Sequence, residues 1–148
     1  MGLTVNQILK ATPFNRHKKA AQVAIRGIKV RKNLDNMPMV VAKTQSTQKM
    51  KKGAIPGKLL PDTQAHNYVT SIEVYPKGKL ICACSCDDWK FTWEVAMVKY
   101  GAARVEYSNG EPPTTRNPLK KPGACGHLIA LLNHLIGAGK LKADHANT

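Results

Sequence analysis

The sequence predicts an α+β fold. An extended basic N-terminal arm, residues 1–63, is expected to precede a small stapled β-hairpin/helix module, residues 64–148, carrying an inserted helix and strand. Three observations lead to this reading. Cys82, Cys84 and Cys86 stand on alternate positions and are answered far downstream by Cys125-Gly126-His127, so that all four cysteines of the chain fall in one constellation. Tyr68, Thr70, Ile72 and Val74 alternate with Val69, Ser71, Glu73 and Tyr75. A turn at Pro76-Lys77-Gly78-Lys79 follows, and Leu80 to Cys84 returns as a second strand, the pattern of a hairpin. Finally, the formal charge of +14 is lopsided. Residues 1–60 hold 13 Lys/Arg against the single acid Asp35, a net of +12, whereas residues 61–148 hold 10 Lys/Arg and 8 acids, a net of +2.

The cysteines set the chemistry of the staple. A strand sends residues i and i+2 to one face, so a Cys-x-Cys pair offers two thiolates to one ion. Cys125 and His127 open the apolar run Leu128 to Ile136, which Gly137 ends and which reads as a short buried helix. A strand pair plus a helix-start pair closes one Cys3His site, and zinc is the ion that such a tetrahedral set of thiolates and imidazole suits. Two disulfides, or buried thiols with no ligand role, are the alternatives. The chain opens Met1-Gly2-Leu3-Thr4-Val5-Asn6, without a charged region leading into an apolar stretch. The expected compartment is therefore reducing, where such a cluster favours metal. Cys82/Cys84 and Cys84/Cys86 have the same spacing, so physical reasoning alone leaves the choice between them open.

The remaining elements follow in order. Val5 to Leu9 is a short apolar turn stopped by Thr12-Pro13, and His17 to Ala24 has helical composition. Val23, Ile25, Ile28 and Val30 predict an extended piece with a break at Gly27, and Met39 to Ala42 another. Thr44 to Thr63 reads as a linker or extended arm. Asp87 or Asp88 is placed to cap a helix from about Trp89 to Tyr100, ended by Gly101. Its stripe of Trp89, Trp93, Met97 (or Ala96) and Tyr100 has the spacing of a core face. Ala102 to Tyr107 is expected to be extended, with a turn at Ser108-Asn109-Gly110 and a proline-rich loop from Glu111 to Gly123 returning the chain to the metal ligands. His17, His66, His134 and His145 are isolated. His134 falls on the helix face of His127 and is expected near the core.

Cys84-Ser85-Cys86-Asp87-Asp88-Trp89, followed by Pro122-Gly123-Ala124-Cys125-Gly126-His127-Leu128-Ile129-Ala130-Leu131-Leu132, resembles the SWIM-type zinc finger. That family carries CxC…CxH, an acidic residue and an aromatic just after the second cysteine, and an apolar helix after the histidine. The resemblance implies a short hairpin packed on that helix, with Cys84, Cys86, Cys125 and His127 as zinc ligands and Cys82 spare. The long gap between the ligand pairs departs from most members. The stretch Trp93 to Ala103, then Tyr107-Ser108-Asn109-Gly110-Glu111-Pro112-Pro113, is similar to SWIM-containing proteins of tailed bacteriophages. This second resemblance implies a multi-copy virion component of the neck, tail or baseplate, made in the host cytoplasm.

A catalytic zinc keeps an open position beside a general base. Here four protein ligands suffice to close the site, neither Asp88 nor Glu94 has hydrolytic or deaminase spacing, and no phosphate loop or nucleophile elbow appears, so an enzyme is not expected. No apolar stretch reaches the ~18 residues of a membrane span. The basic arm requires an acidic partner. Its interleaved apolar residues favour other protein subunits of a large assembly, with Val23, Ile25 and Ile28 as buried anchors and Arg26, Lys29, Arg31 and Lys32 at the acidic rim. The alternative is a nucleic-acid-binding module gripping phosphate. Residues 1–60 offer it one aromatic, Phe14, and no helix with a base-reading face.

Overall fold

The computed structural model describes residues 2–46, 51–52, 59–60, 66–108 and 117–141. Two short helices, α1 (Val5–Ala11) and α2 (Phe14–Ala20), lead into β1 (Ala24–Lys32) and β2 (Pro38–Ser46). The two-residue strands β3 (Lys51–Lys52) and β4 (Leu59–Leu60) pair only with each other. Then come β5 (His66–Val74), β6 (Leu80–Cys84), a wide π-type turn over Trp89–Trp93, α3 (Glu94–Lys99) and α4 (Gly126–Gly137). The main sheet is antiparallel in the order β1-β2-β5-β6.

Register places the core. Ala42, Thr70 and Cys84 form one cross-strand row, and Val40, Ile72 and Cys82 the next. These side chains are buried and face α4, which touches all four strands. Leu128, Ile129, Leu131, Leu132 and Leu135 of α4 fill the space between, joined by Trp89, Trp93 and Met97. The expected hairpin is β5–β6, the expected buried helix is α4, and the aromatic stripe lies in the core with Tyr100 half-buried at its end.

The expected extended arm is not what residues 2–46 form. They fold into the same core: Val5, Ile8, Ala20, Val40 and Ala42 are buried in it. β2 pairs with β5 along its whole length, so the sheet crosses the expected boundary at residue 63. Local signals explain each N-terminal element. Thr4 caps α1 by accepting from the Gln7 N–H, while Gln7 Oε1 accepts from the Thr4 N–H. Pro13 forces Thr12 into the extended region, ends α1 and starts α2. In β1 the register shifts between Arg26 and Lys29, and Gly27 sits at φ +59°. This bulge puts both Ile25 and Ile28 against the core although they are three residues apart. Val23, Ile25 and Ile28 thus pack on this chain's own core and are not held out as anchors for a neighbour.

Two further expectations need correction. Ala102 to Tyr107 forms no strand. It folds back in bends, because the N–H groups of Glu106, Tyr107 and Ser108 all turn inward onto the Glu94 carboxylate. His134 is exposed rather than in the core, since the buried stripe of α4 runs through Leu128, Leu131, Leu132 and Leu135. Most of the expected linker, all of His145 and the expected loop from 109 to 116 lie outside the described residues, as does the His66 side chain. Among the described residues no helix is long and apolar enough to cross a membrane.

Gly123 is fixed by packing. A Cβ there would lie 2.7 Å from Cζ3 of Trp93, whose indole N–H is held by Asp88. Gly123→Ala is expected to destabilise the protein by about 1–3 kcal/mol through overpacking, read as a lowered denaturant midpoint at unchanged slope.

Candidate metal centre

The site is built from two ends of the fold. Cys84 closes β6, and Cys86 follows two residues later at the head of the π-type turn, where the Lys90 N–H donates to its carbonyl. Cys125 stands at the N-cap position of α4, with extended backbone, and its carbonyl accepts the Ile129 N–H of the first helical turn. His127 lies within that turn. All four side chains are buried, and one atom from each, three Sγ and one imidazole nitrogen, lie within 4.8 Å of one another. A tetrahedral ion with metal–sulfur bonds of ~2.3 Å needs sulfurs about 3.8 Å apart. A small contraction of the present spread closes that tetrahedron, so this group could hold a metal ion.

Cys82 shares the face of Cys84 but lies outside the four-residue group. It occupies the row beside Ile72, one row away from Cys84, among apolar neighbours. Burial, and next the charge of Glu73, push its thiol up to about 12.

The ligands behave differently. Burial would raise the Cys84 thiol, but hydrogen bonds from Cys125, Cys86 and Thr70 bring it well below the usual range. Cys125 is pushed well up by burial and then by its hydrogen bonds to Cys84 and Cys86. Hydrogen bonding thus favours the Cys84 thiolate, the form in which a sulfur binds metal. The surroundings fix the sulfurs and the ring. The Thr70 hydroxyl lies 3.4 Å from Cys84 Sγ, the Trp89 N–H donates to Cys86 Sγ at 3.4 Å, and the Tyr68 ring tilts over His127 at 4.6 Å.

The α1–α2 corner braces both halves of the site, a role that composition alone did not reveal. Thr12 Oγ1 donates to the Ile8 carbonyl at 2.7 Å and accepts the Ala124 N–H at 3.1 Å, immediately before Cys125. The Lys19 stem covers Gly126, where an added Cβ would meet it at 3.1 Å. On the other side, Arg16 forks onto Asp88 with Nε–Oδ2 at 3.0 Å and Nη2–Oδ1 at 2.6 Å, two residues after Cys86. Asp88 also accepts from Thr92 Oγ1 and Trp93 Nε1. Burial would raise its carboxyl, but Arg16 holds it below the usual carboxylate range. One helix pair therefore links two ligand segments far apart in sequence. Arg16→Ala leaves Asp88 without its cation and the CxC segment loose. Metal affinity is expected to fall about 10–100-fold, the size typical of lost outer partners, measured by competition with a chromophoric chelator.

Glu94 is the second residue that the sequence did not single out for its real role. It is fully buried, and five donors converge on it: Trp89 Nε1, the N–H groups of Glu106, Tyr107 and Ser108, and the Ser108 hydroxyl at 2.7 Å. It ties the segment after α3 to the turn that carries Cys86. An acid inside an apolar helical stretch was the only available signal. Elsewhere, His17 Nε2 contacts the Leu9 carbonyl at 2.9 Å, and His17 and His134 line one cleft between α2 and α4, away from the four ligands. No family model, curated protein or solved structure matches the chain.

Proposed function

We propose that the chain is a non-enzymatic, zinc-stapled interaction protein of the SWIM type, serving as a virion component in the neck, tail or baseplate of a tailed bacteriophage. The observation that carries the structural role of the metal is the closure of the site. Four protein donors, all buried, converge from a strand end and a helix start. Three sulfurs and one imidazole favour zinc over harder cations, and their number leaves no coordination position for substrate. The hairpin packed on the helix that follows the histidine supports the SWIM reading, and the resemblance of residues 93–113 supports the virion reading. Proteomics of purified phage particles tests the latter: the chain should be present in multiple copies. Its restriction to the lysate of infected cells, outside particles, would contradict the reading.

A nucleic-acid-binding role is the second reading, and one observation favours it. Val23, Ile25 and Ile28, the apolar residues that had argued for a protein partner, are taken up by the chain's own core, whereas Arg26, Lys29, Arg31 and Lys32 remain exposed. What the N-terminal region presents outward is thus largely charge, beside the exposed apolar side chains of Phe14, Val30 and Leu34.

A further inference from the structure

The face of the sheet turned away from α4 has an arrangement that folding does not explain. Arg26 of β1 stands directly opposite Lys43 of β2. Lys29 and Arg31 continue along β1 on the same face, while Ile25 and Ile28 turn to the core and Val30 stays exposed on the other side. All four are exposed, and none has an ion pair among the described residues. Glu73 is the acid on this face, and its charge is already engaged by Arg104 and by Asn33 Nδ2 at 2.6 Å. Like charges directly opposed across two strands destabilise a sheet. An edge strand needs some charge to resist aggregation, but that need does not require a second cation facing Arg26 on the neighbouring strand.

The same spot is concave. A pocket of about 250 Å³ is lined by Arg26, Lys43, Gln45, Asn67, Tyr68 and Val69. Two cations and two side-chain amides around a shallow hollow match the donors that an anionic oxygen group needs. From there Lys29 and Arg31 extend the charge, side chains two apart on a strand lying about 6.6 Å from each other. The pattern is a line of cations, not one point charge. The core of a protein interface is poor in charge and rich in aromatic and apolar anchors. This face is the reverse: among the described residues Val69 is exposed, and Met39, Val41 and Ile81 are half-buried.

We propose that the outer sheet face binds the phosphodiester backbone of single-stranded nucleic acid without sequence preference, with one phosphate seated between Arg26 and Lys43 and the strand continuing past Lys29 and Arg31. This rests on the second reading above and names the surface and the ligand for it. This face presents no aromatic row on which bases would stack, so backbone charge carries the contact.

The test is binding of a fluorescein-labelled oligodeoxythymidylate to the zinc-loaded protein, followed by anisotropy as salt is raised. Four phosphate contacts give a slope of log K against log salt of about −3. R26Q/K43Q should weaken binding at low salt at least about tenfold and cut the slope to about half. It should keep its zinc and melt no lower than the parent, because it removes a repulsive pair. K99Q/K140Q, with the same charge change on α3 and after α4, should bind nearly as the parent. Three results would overturn the proposal: no binding at low salt, an equal loss in both double variants, or polyglutamate competing as well as the oligonucleotide, which would assign the face to an acidic protein. Zinc content is read separately in every variant, so failure of the surface and failure of the metal centre are distinguishable.

Discussion

Cys125→Ser is expected to abolish metal binding and leave the chain without its cooperative thermal transition. The reason is one of magnitude. Structural zinc contributes about 10–16 kcal/mol of apparent binding energy in small modules, while whole domains are stable by about 5–15 kcal/mol. Cys125 sits at the start of α4, so its sulfur couples the sheet to the helix that fills the core. Serine there gives a poor ligand and leaves two facing thiols in a buried, metal-free hole. Cys82→Ser provides the contrast, because that thiol lies in the row of Val40 and Ile72 and outside the four-residue group. It should cost about 1–3 kcal/mol for a buried hydroxyl and keep the metal. Circular dichroism melts with and without a strong chelator check both. A chelator should convert the wild type into the Cys125→Ser phenotype.

Glu94→Ala should be the most damaging change away from the metal, at about 3–5 kcal/mol. It removes the acceptor of the buried Trp89 indole N–H and of three partly buried backbone N–H groups. Glu94→Gln keeps the shape but turns an amide donor toward donors, and should lie between alanine and the parent. The carboxylate also makes stability depend on pH. Burial would raise Glu94, yet the Ser108 hydroxyl and the N–H groups of Ser108, Tyr107 and Glu106 hold it below the usual carboxylate range. The unfolded chain therefore binds more protons in acid than the folded one, so stability falls as pH drops. The contribution is complete above the ordinary glutamate value of about 4.5 and is lost as pH falls through the folded value. Urea titrations of the parent and Glu94→Gln across that window should show a shallower acid slope in the variant. Equal slopes would mean that Glu94 is not the titrating group.

The parts legible in the sequence are those where one period dominates. Alternation through Tyr68 to Val74 gave β5, and the continuous apolar run after His127 gave α4, because each buries one unbroken pattern. The Cys/His cluster was legible because soft donors at i, i+2 have few other uses, but spacing alone did not say which two of Cys82, Cys84 and Cys86 belong to it. The N-terminal region hid its fold for physical reasons. Its helices are seven residues each, too short for a periodic stripe to stand out. In β1 the bulge at Gly27 shifts the phase of alternation, so that Ile25 and Ile28 share the core side while the dense charge between them reads as an arm. The brace of Arg16 on Asp88 spans 72 residues, and no local pattern encodes it. Glu94 was opaque for a related reason: its partners are backbone N–H groups, which every residue but proline carries.

The proposed structural zinc on Cys84, Cys86, Cys125 and His127 is tested by metal analysis of the purified protein and its single cysteine-to-serine variants. One zinc per chain is expected in the parent and in Cys82→Ser, and none retained through dialysis in Cys84→Ser, Cys86→Ser or Cys125→Ser. A parent without bound metal, or a Cys82→Ser protein that releases it while Cys84→Ser keeps it, would overturn this ligand set.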